Sequence, residues 1–252
     1  PNNSLSLSHN YVASIYEDRS GMLWVGTGGG GLNRFDRDTG QFIRYQTDPD
    51  DSHSLSNDRV WAVYQDRSGV LWIGTGGGGL DKFDREMEKF PHYQTDPGDP
   101  NSLSHNDVTA LYEDRSGMLW VGTGGGGLNK FDRAIGRMFH YQHDPDDPRS
   151  LSHNTVASIH QDRSGALWVG TFGGLNRLGE KAGQFIRYQN DPADPHSLSS
   201  NSVRSILEDR RGVLWIGTGQ GLDRFNRETE RFIHYQNAPD DPRSLSHNNV
   251  ML

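Results

Sequence analysis

The chain has 252 residues, a net charge of −8 and no cysteine. Disulfides and thiolate metal sites are therefore excluded, and the acidic balance argues against a nucleic-acid backbone as the main partner. No apolar run approaches the roughly 18 residues of a helical span, so no membrane insertion of this chain is expected. No N-terminal stretch reads as a signal peptide, although a mature exported domain would read the same way.

The first element in chain order is Tyr11 to Glu17, rich in β-branched and aromatic residues and expected as a strand. Asp18-Arg19-Ser20-Gly21 predicts a hairpin turn, with glycine supplying the positive φ. Met22 to Thr27 forms the second strand, and the loop Gly28-Gly29-Gly30-Gly31 follows it. The third strand runs Leu32 to Asp36, a turn lies around Asp38-Thr39-Gly40, and the fourth strand is Phe42 to Gln46. From Thr47 a polar connection rich in Asp, Pro and Ser leads to the same text again.

Trp24, Trp72, Trp120, Trp168 and Trp215 stand 48, 48, 48 and 47 residues apart, and Tyr45, Tyr93, Tyr141, Tyr188 and Tyr235 repeat with them. The missing residue falls in the glycine loop, which shortens to Phe172-Gly173-Gly174 and Gly219-Gln220-Gly221. A module this small cannot bury its own apolar faces, so the stack is the folding unit. Four short strands per module predict an all-β fold, a β-propeller of five four-stranded blades in one domain over residues 1–252. The repeats run at about 9–56, 57–104, 105–152, 153–199 and 200–246. A solenoid is the runner-up, but neither end departs from the pattern as a polar cap would. Residues 247–252 begin a surplus partial strand, which could be a loose tail, could pair in place of the head strand or in another chain, or could mark an excerpt of a larger ring.

Scaffold positions hardly change between modules, whereas two first-strand positions change completely. One reads Tyr11, Arg59, Asp107, Thr155, Ser202, and the other Ala13, Trp61, Thr109, Ala157, Arg204. Tyr11 and Trp61 offer aromatic platforms, Arg59 and Arg204 guanidinium forks, and Asp107 a carboxylate, a set suited to an oligosaccharide or a small anion at the mouth of the ring. The competing reading is drift at positions where a ring centre tolerates anything. The equivalent loop residues His9, His105, His153 and His247 are expected to cap turns or to lie in solvent, not to hold a metal. The Asp-Pro connections, such as Asp48-Pro49-Asp50-Asp51, lack the order of a calcium loop and predict Asx turns. Asp18, Asp66, Asp114, Asp162 and Asp209 recur in all five modules. Catalysis needs such a residue once, so these are expected to bond turn N–H groups. No catalytic constellation stands out and no cofactor is implied, so the chain is not expected to be an enzyme.

The text Val12-Ala13-Ser14-Ile15-Tyr16-Glu17-Asp18, through Trp24-Val25-Gly26-Thr27 to Gly31-Leu32-Asn33-Arg34-Phe35-Asp36, resembles the two-component regulator propeller repeat of bacterial hybrid histidine kinases. The connection from Asp144 to Ser152 also resembles that family. The resemblance implies a periplasmic or extracellular sensor propeller that recognises ligands such as oligosaccharides. Family sensors carry more blades than five, and this chain shows no kinase part or membrane segment. Asp18 stands three residues before Gly21, unlike the sialidase Asp-box, so no glycosidase reading follows. The alternative is a repeat scaffold, amplified or deliberately built, with no ligand of its own and homo-oligomerising through the surplus strand.

Overall fold

The Asp-x-x-Gly text closes the first hairpin of each module in one way. In the computed structural model, which describes residues 5–179, 181 and 183–251, Gly21 takes φ +81° and donates its N–H to the Asp18 carbonyl at 2.8 Å. The Asp18 N–H donates in turn to the Met22 carbonyl at 2.9 Å, which starts the next strand in register.

Among the described residues twenty strands form five four-stranded antiparallel sheets, the blades of a β-propeller, and no helix is present. The first blade holds β1 (Val12–Glu17), β2 (Leu23–Thr27), β3 (Leu32–Asp36) and β4 (Gln41–Tyr45). The second holds β5 (Val60–Gln65), β6 (Leu71–Thr75), β7 (Gly79–Phe83) and β8 (His92–Tyr93). The third holds β9 (Val108–Glu113), β10 (Leu119–Thr123), β11 (Leu128–Asp132) and β12 (Arg137–Tyr141). The fourth holds β13 (Val156–Gln161), β14 (Leu167–Thr171), β15 (Gly174–Leu178) and β16 (Phe185–Tyr188). The fifth holds β17 (Val203–Glu208), β18 (Leu214–Thr218), β19 (Gly221–Asn226) and β20 (Arg231–Tyr235). In the first blade these bounds fall within one residue of those read from the sequence. β8 is short because Pro91 stands where the first blade has Ile43, and proline has no N–H to give to a ladder.

The chain divides into two compact units, Pro1–Thr123 with Asn129–Phe139, and Gly124–Leu128 with His140–Leu252. In the first unit the cores lie between blades. Trp24, Leu32 and Tyr45 pack with Val60, Ile73, Phe83 and Phe90, and Trp72 and Leu80 pack with Val108, Leu119 and Phe131. In the second unit Trp168, Leu175 and Tyr188 pack with Val203, Ile216 and Phe225 in the same manner. The blades approach closely at Gly74, where a Cβ would stand 2.7 Å from Val108 Cγ1 and 2.9 Å from the Val108 carbonyl oxygen.

Residues 247–251 form no strand, but the Val250 N–H donates to the Thr218 carbonyl at 3.1 Å. The Val250 carbonyl oxygen lies 2.9 Å from where a Cβ on Gly217 would stand, the relation Val108 has to Gly74. The tail therefore occupies the place against β18 that a following blade's first strand would take. In the first unit the head strand is left uncovered: Val12 is 40 % exposed where Val60 and Val108 are fully buried.

Candidate ligand-binding cluster on the first strands

Each variable residue just ahead of a first strand is held by its own backbone. The Tyr11 N–H donates to His9 Nδ1 at 3.1 Å, and the Tyr11 carbonyl accepts from the Gly28 N–H at 2.9 Å. Arg59 repeats this arrangement, donating its N–H to Asn57 Oδ1 at 3.0 Å and accepting at its carbonyl from Gly76 at 2.8 Å. The Asp107 N–H donates to His105 Nδ1 at 3.1 Å. His153 and His247 accept from Thr155 and Asn249 in the same way, so these histidines cap turns as expected. No group of three potential metal ligands exists among the described residues.

Fixed in this way, Tyr11, Trp61 and Asp107 come together. Tyr11 stands edge-on to Trp61, with ring centroids 6.5 Å apart and planes at 90°. Trp61 Nε1 donates to Asp107 Oδ1 at 3.0 Å, which fixes the indole across the joint between the second and third blades. Gly76 makes room for this ring, since a Cβ there would lie 2.6 Å from Trp61 Nε1 and 3.0 Å from Arg59 Cβ. The glycine loops thus also seat variable first-strand side chains. Tyr11 and Arg59 are exposed, while Trp61 and Asp107 are half-buried. The Arg59 guanidinium has no ion pair among the described residues. Arg204 lies on β17 in the second unit, half-buried, with Nε lacking a hydrogen-bond partner. An aromatic edge, an anchored indole and an unpaired guanidinium form a surface that can stack on a ring and accept an anionic or hydroxylated group.

The repeated aspartates act in the turns and reach beyond them. Asp18 Oδ1 accepts from the Ser20 and Met22 N–H groups at 2.9 and 3.1 Å, as the sequence implies. Its Oδ2 also accepts from Trp24 Nε1 at 3.0 Å and from Arg85 of the next blade at 2.6 Å. Burial alone would raise the Asp18 pKa, but hydrogen bonds from Ser20, Trp24 and Arg85 outweigh it and hold the carboxyl below the usual range. Arg133 binds Asp66 in the same way, and in the second unit Arg227 binds Asp162. The Asp-Pro connections close as Asx turns: Asp48 Oδ1 accepts from the Asp50 N–H and Asp51 Oδ1 from the His53 N–H, both at 3.0 Å.

A third variable position was not singled out from the sequence. The turn between third and fourth strands carries Gly40, Glu88, Gly136, Gly183 and Glu230 at equivalent places. The two glutamates take φ of +51° and +53°, a region that non-glycine residues rarely adopt. Comparison of the five modules at this turn is the signal that finds them.

The fold and the cross-blade pairing define the class as a repeat-built β-propeller. The family model for the two component regulator propeller matches residues 6–29, 54–77, 102–125, 150–173 and 197–220, once per blade, and the chain belongs to that family. No curated protein sequence matches it. Among solved structures it is similar to the extracellular domain of a B. thetaiotaomicron protein described as a hybrid two-component system. The identity there is 33 % and the TM-score 0.78, over 91 % of this chain and 30 % of that one. A second B. thetaiotaomicron extracellular domain, described as part of a one-component system, is 24 % identical with a TM-score of 0.56, over 93 % of this chain and 36 % of that one. Virginiamycin B lyase from Staphylococcus aureus shares the fold at 15 % identity and a TM-score of 0.67, over 94 % of this chain and 74 % of that one. The chain spans about a third of the length of these two extracellular domains.

Proposed function

We propose that this chain is the ligand-recognising part of a bacterial sensor, periplasmic or extracellular, and that it performs no catalysis. Its ligand is an oligosaccharide or a small anion, received where Tyr11, Arg59, Trp61 and Asp107 meet. The observation that carries this reading is the indole of Trp61, anchored on Asp107 and faced by Tyr11, at a position where the other modules carry Ala13, Thr109, Ala157 and Arg204. Drift would not be expected to yield two interacting partners for one unique tryptophan. Family membership and the similarity to the extracellular domain of a hybrid two-component system support the sensor role.

A thermal-shift screen of the purified chain against oligosaccharides and small anions tests it. A ligand at 100 times its dissociation constant stabilises by about 2.7 kcal/mol, or several degrees for a chain of this size. The expected hit is lost in Trp61→Ala, and an unchanged shift in that variant would move the site elsewhere. Silence across the panel would favour the scaffold reading, which the exposed first-strand face of β1 supports: Ile15 is 66 % exposed where Val63 is 8 %. In that reading the face seats a second copy of the chain.

A further inference from the structure

The joint between the first and second blades is closed by a carboxylate. Glu88 reaches back so that its Oε1 accepts from the Tyr45 hydroxyl at 2.9 Å and from Arg34 at 3.3 Å. The joint between the fourth and fifth blades is built identically, with Glu230 Oε1 accepting from Tyr188 at 3.0 Å and Arg177 at 2.9 Å. The joint between the second and third blades keeps the tyrosine, as Tyr93, and the cation, as Lys82, but has Gly136 in place of the glutamate. It also has Met138 where the other two joints have Phe90 and Phe232. A cavity of about 610 Å³ opens there, lined by Trp72, Lys82, Tyr93, Phe131, Arg133 and Gly136 among others. A smaller cavity of about 250 Å³ also touches Tyr93, Phe131, Gly136 and Met138.

We infer that this cavity is a binding site for a small carboxylate-bearing molecule, whose carboxylate takes the place that a glutamate of the chain fills in the two sister joints. Three features of the cavity support this. Neither the Tyr93 hydroxyl nor the Lys82 ammonium has a hydrogen-bond or ion-pair partner among the described residues. The two carboxylates on the wall are already engaged, Asp66 with Ser68, Val70, Trp72 and Arg133, and Asp132 with the Ala134 N–H. Arg133 is likewise taken up by Asp66, Glu113 and the Gly117 carbonyl. The rest of the lining includes Trp72, Phe131, Val70 and Met118, so the ligand carries an apolar or ring-shaped body behind its acid group. This site is separate from the Trp61 cluster and does not depend on it.

3-Phenylpropionate suits the test, because its two-carbon arm and carboxylate copy a glutamate side chain and its ring can meet Trp72 and Phe131. Calorimetric titration of the full chain should show one site. Tyr93→Phe and Lys82→Gln should each weaken it by about tenfold, the effect of losing a hydrogen bond to a charged group. Gly136→Glu should abolish binding by installing the sister glutamate: a Cβ there meets nothing within 4 Å, and Glu88 already tolerates the backbone φ. The neutral 3-phenylpropanol should bind at least about tenfold more weakly than the acid. The proposal is overturned by no binding of the acid at about 10 mM, by equal affinity for the alcohol, or by undiminished affinity in Gly136→Glu. Trp61→Ala should leave this titration unchanged, which separates failure here from failure of the sensor site.

Discussion

Two buried positions show at residue scale how one atom changes the energetics of a repeat. The third strands carry Asn33, Asp81, Asn129, Asn176 and Asp223 at equivalent places, all fully buried. Asn33 accepts from the Ser8 N–H and donates through Nδ2 to Ser8 Oγ and the Val25 carbonyl. Asp81 and Asp223 keep the acceptor role, toward Ser56 and Ser199, but each leaves Oδ1 without a hydrogen-bond partner. The neighbouring fourth-strand residue is arginine beside Asn33 and Asn176, but histidine beside Asp81 and Asp223, with His92 Nε2 4.0 Å from Asp81 Oδ1. Burial pushes the Asp81 carboxyl up to about 7, against the smaller lowering effect of hydrogen bonds from Ser56. The folded chain thus holds this proton up to about pH 7, whereas the unfolded chain releases it near 3.8. Between those values the unfolded state binds fewer protons, so stability falls as pH rises, by up to about 1.4 kcal/mol per pH unit. Asp81→Asn should remove this slope. Denaturant titrations from pH 4 to 7 should show the variant gaining on the parent as pH rises, and parallel curves would mean that Asp81 is already ionised in the fold.

At the scale of elements, much was legible from text alone. The Asp-x-x-Gly turns, the glycine loops and the four strand spans follow from local propensity, and the structure moves the first-blade bounds by no more than a residue. What sequence reading could not reach depends on the neighbouring blade. Asp18 meets Arg85 across 67 positions, and Glu88 meets Tyr45 across 43. Neither partner is implied by the strand it sits on. The same is true of Gly74, which reads as a weak strand residue and is in fact the point where β6 touches Val108. Gly74→Ala should therefore destabilise by about 1–3 kcal/mol, the cost of overpacking a tight contact, well beyond its small propensity gain. A urea titration reading less than about 0.5 kcal/mol would show that β9 yields at this joint.

At the scale of the whole molecule, stability within each unit is a sum over blade joints more than over blades, because Trp24, Tyr45, Trp72, Trp168 and Tyr188 are buried against residues of the neighbouring blade. This accounts for the uniformity of those positions, since each serves both its own sheet and the next. It also gives the tail a definite part. Val60 and Val108 in the first unit and Val203 in the second are fully buried in the joints, and Val250 takes the matching place against β18 while remaining half-buried. A charge at Val250 would sit beside Gly217 and the Thr218 carbonyl without a partner but with partial access to water, whereas one at Val60 would be wholly enclosed. Val250→Asp should accordingly lower the melting temperature by about 2–4 °C, roughly 1 kcal/mol for a chain of this length, and Val60→Asp by considerably more. Amide exchange localises the effect: β18 and the loop after it should exchange faster in Val250→Asp, with β6 and β10 unchanged. Uniform acceleration across all blades would mean instead that the joints open together and the chain melts as one cooperative body.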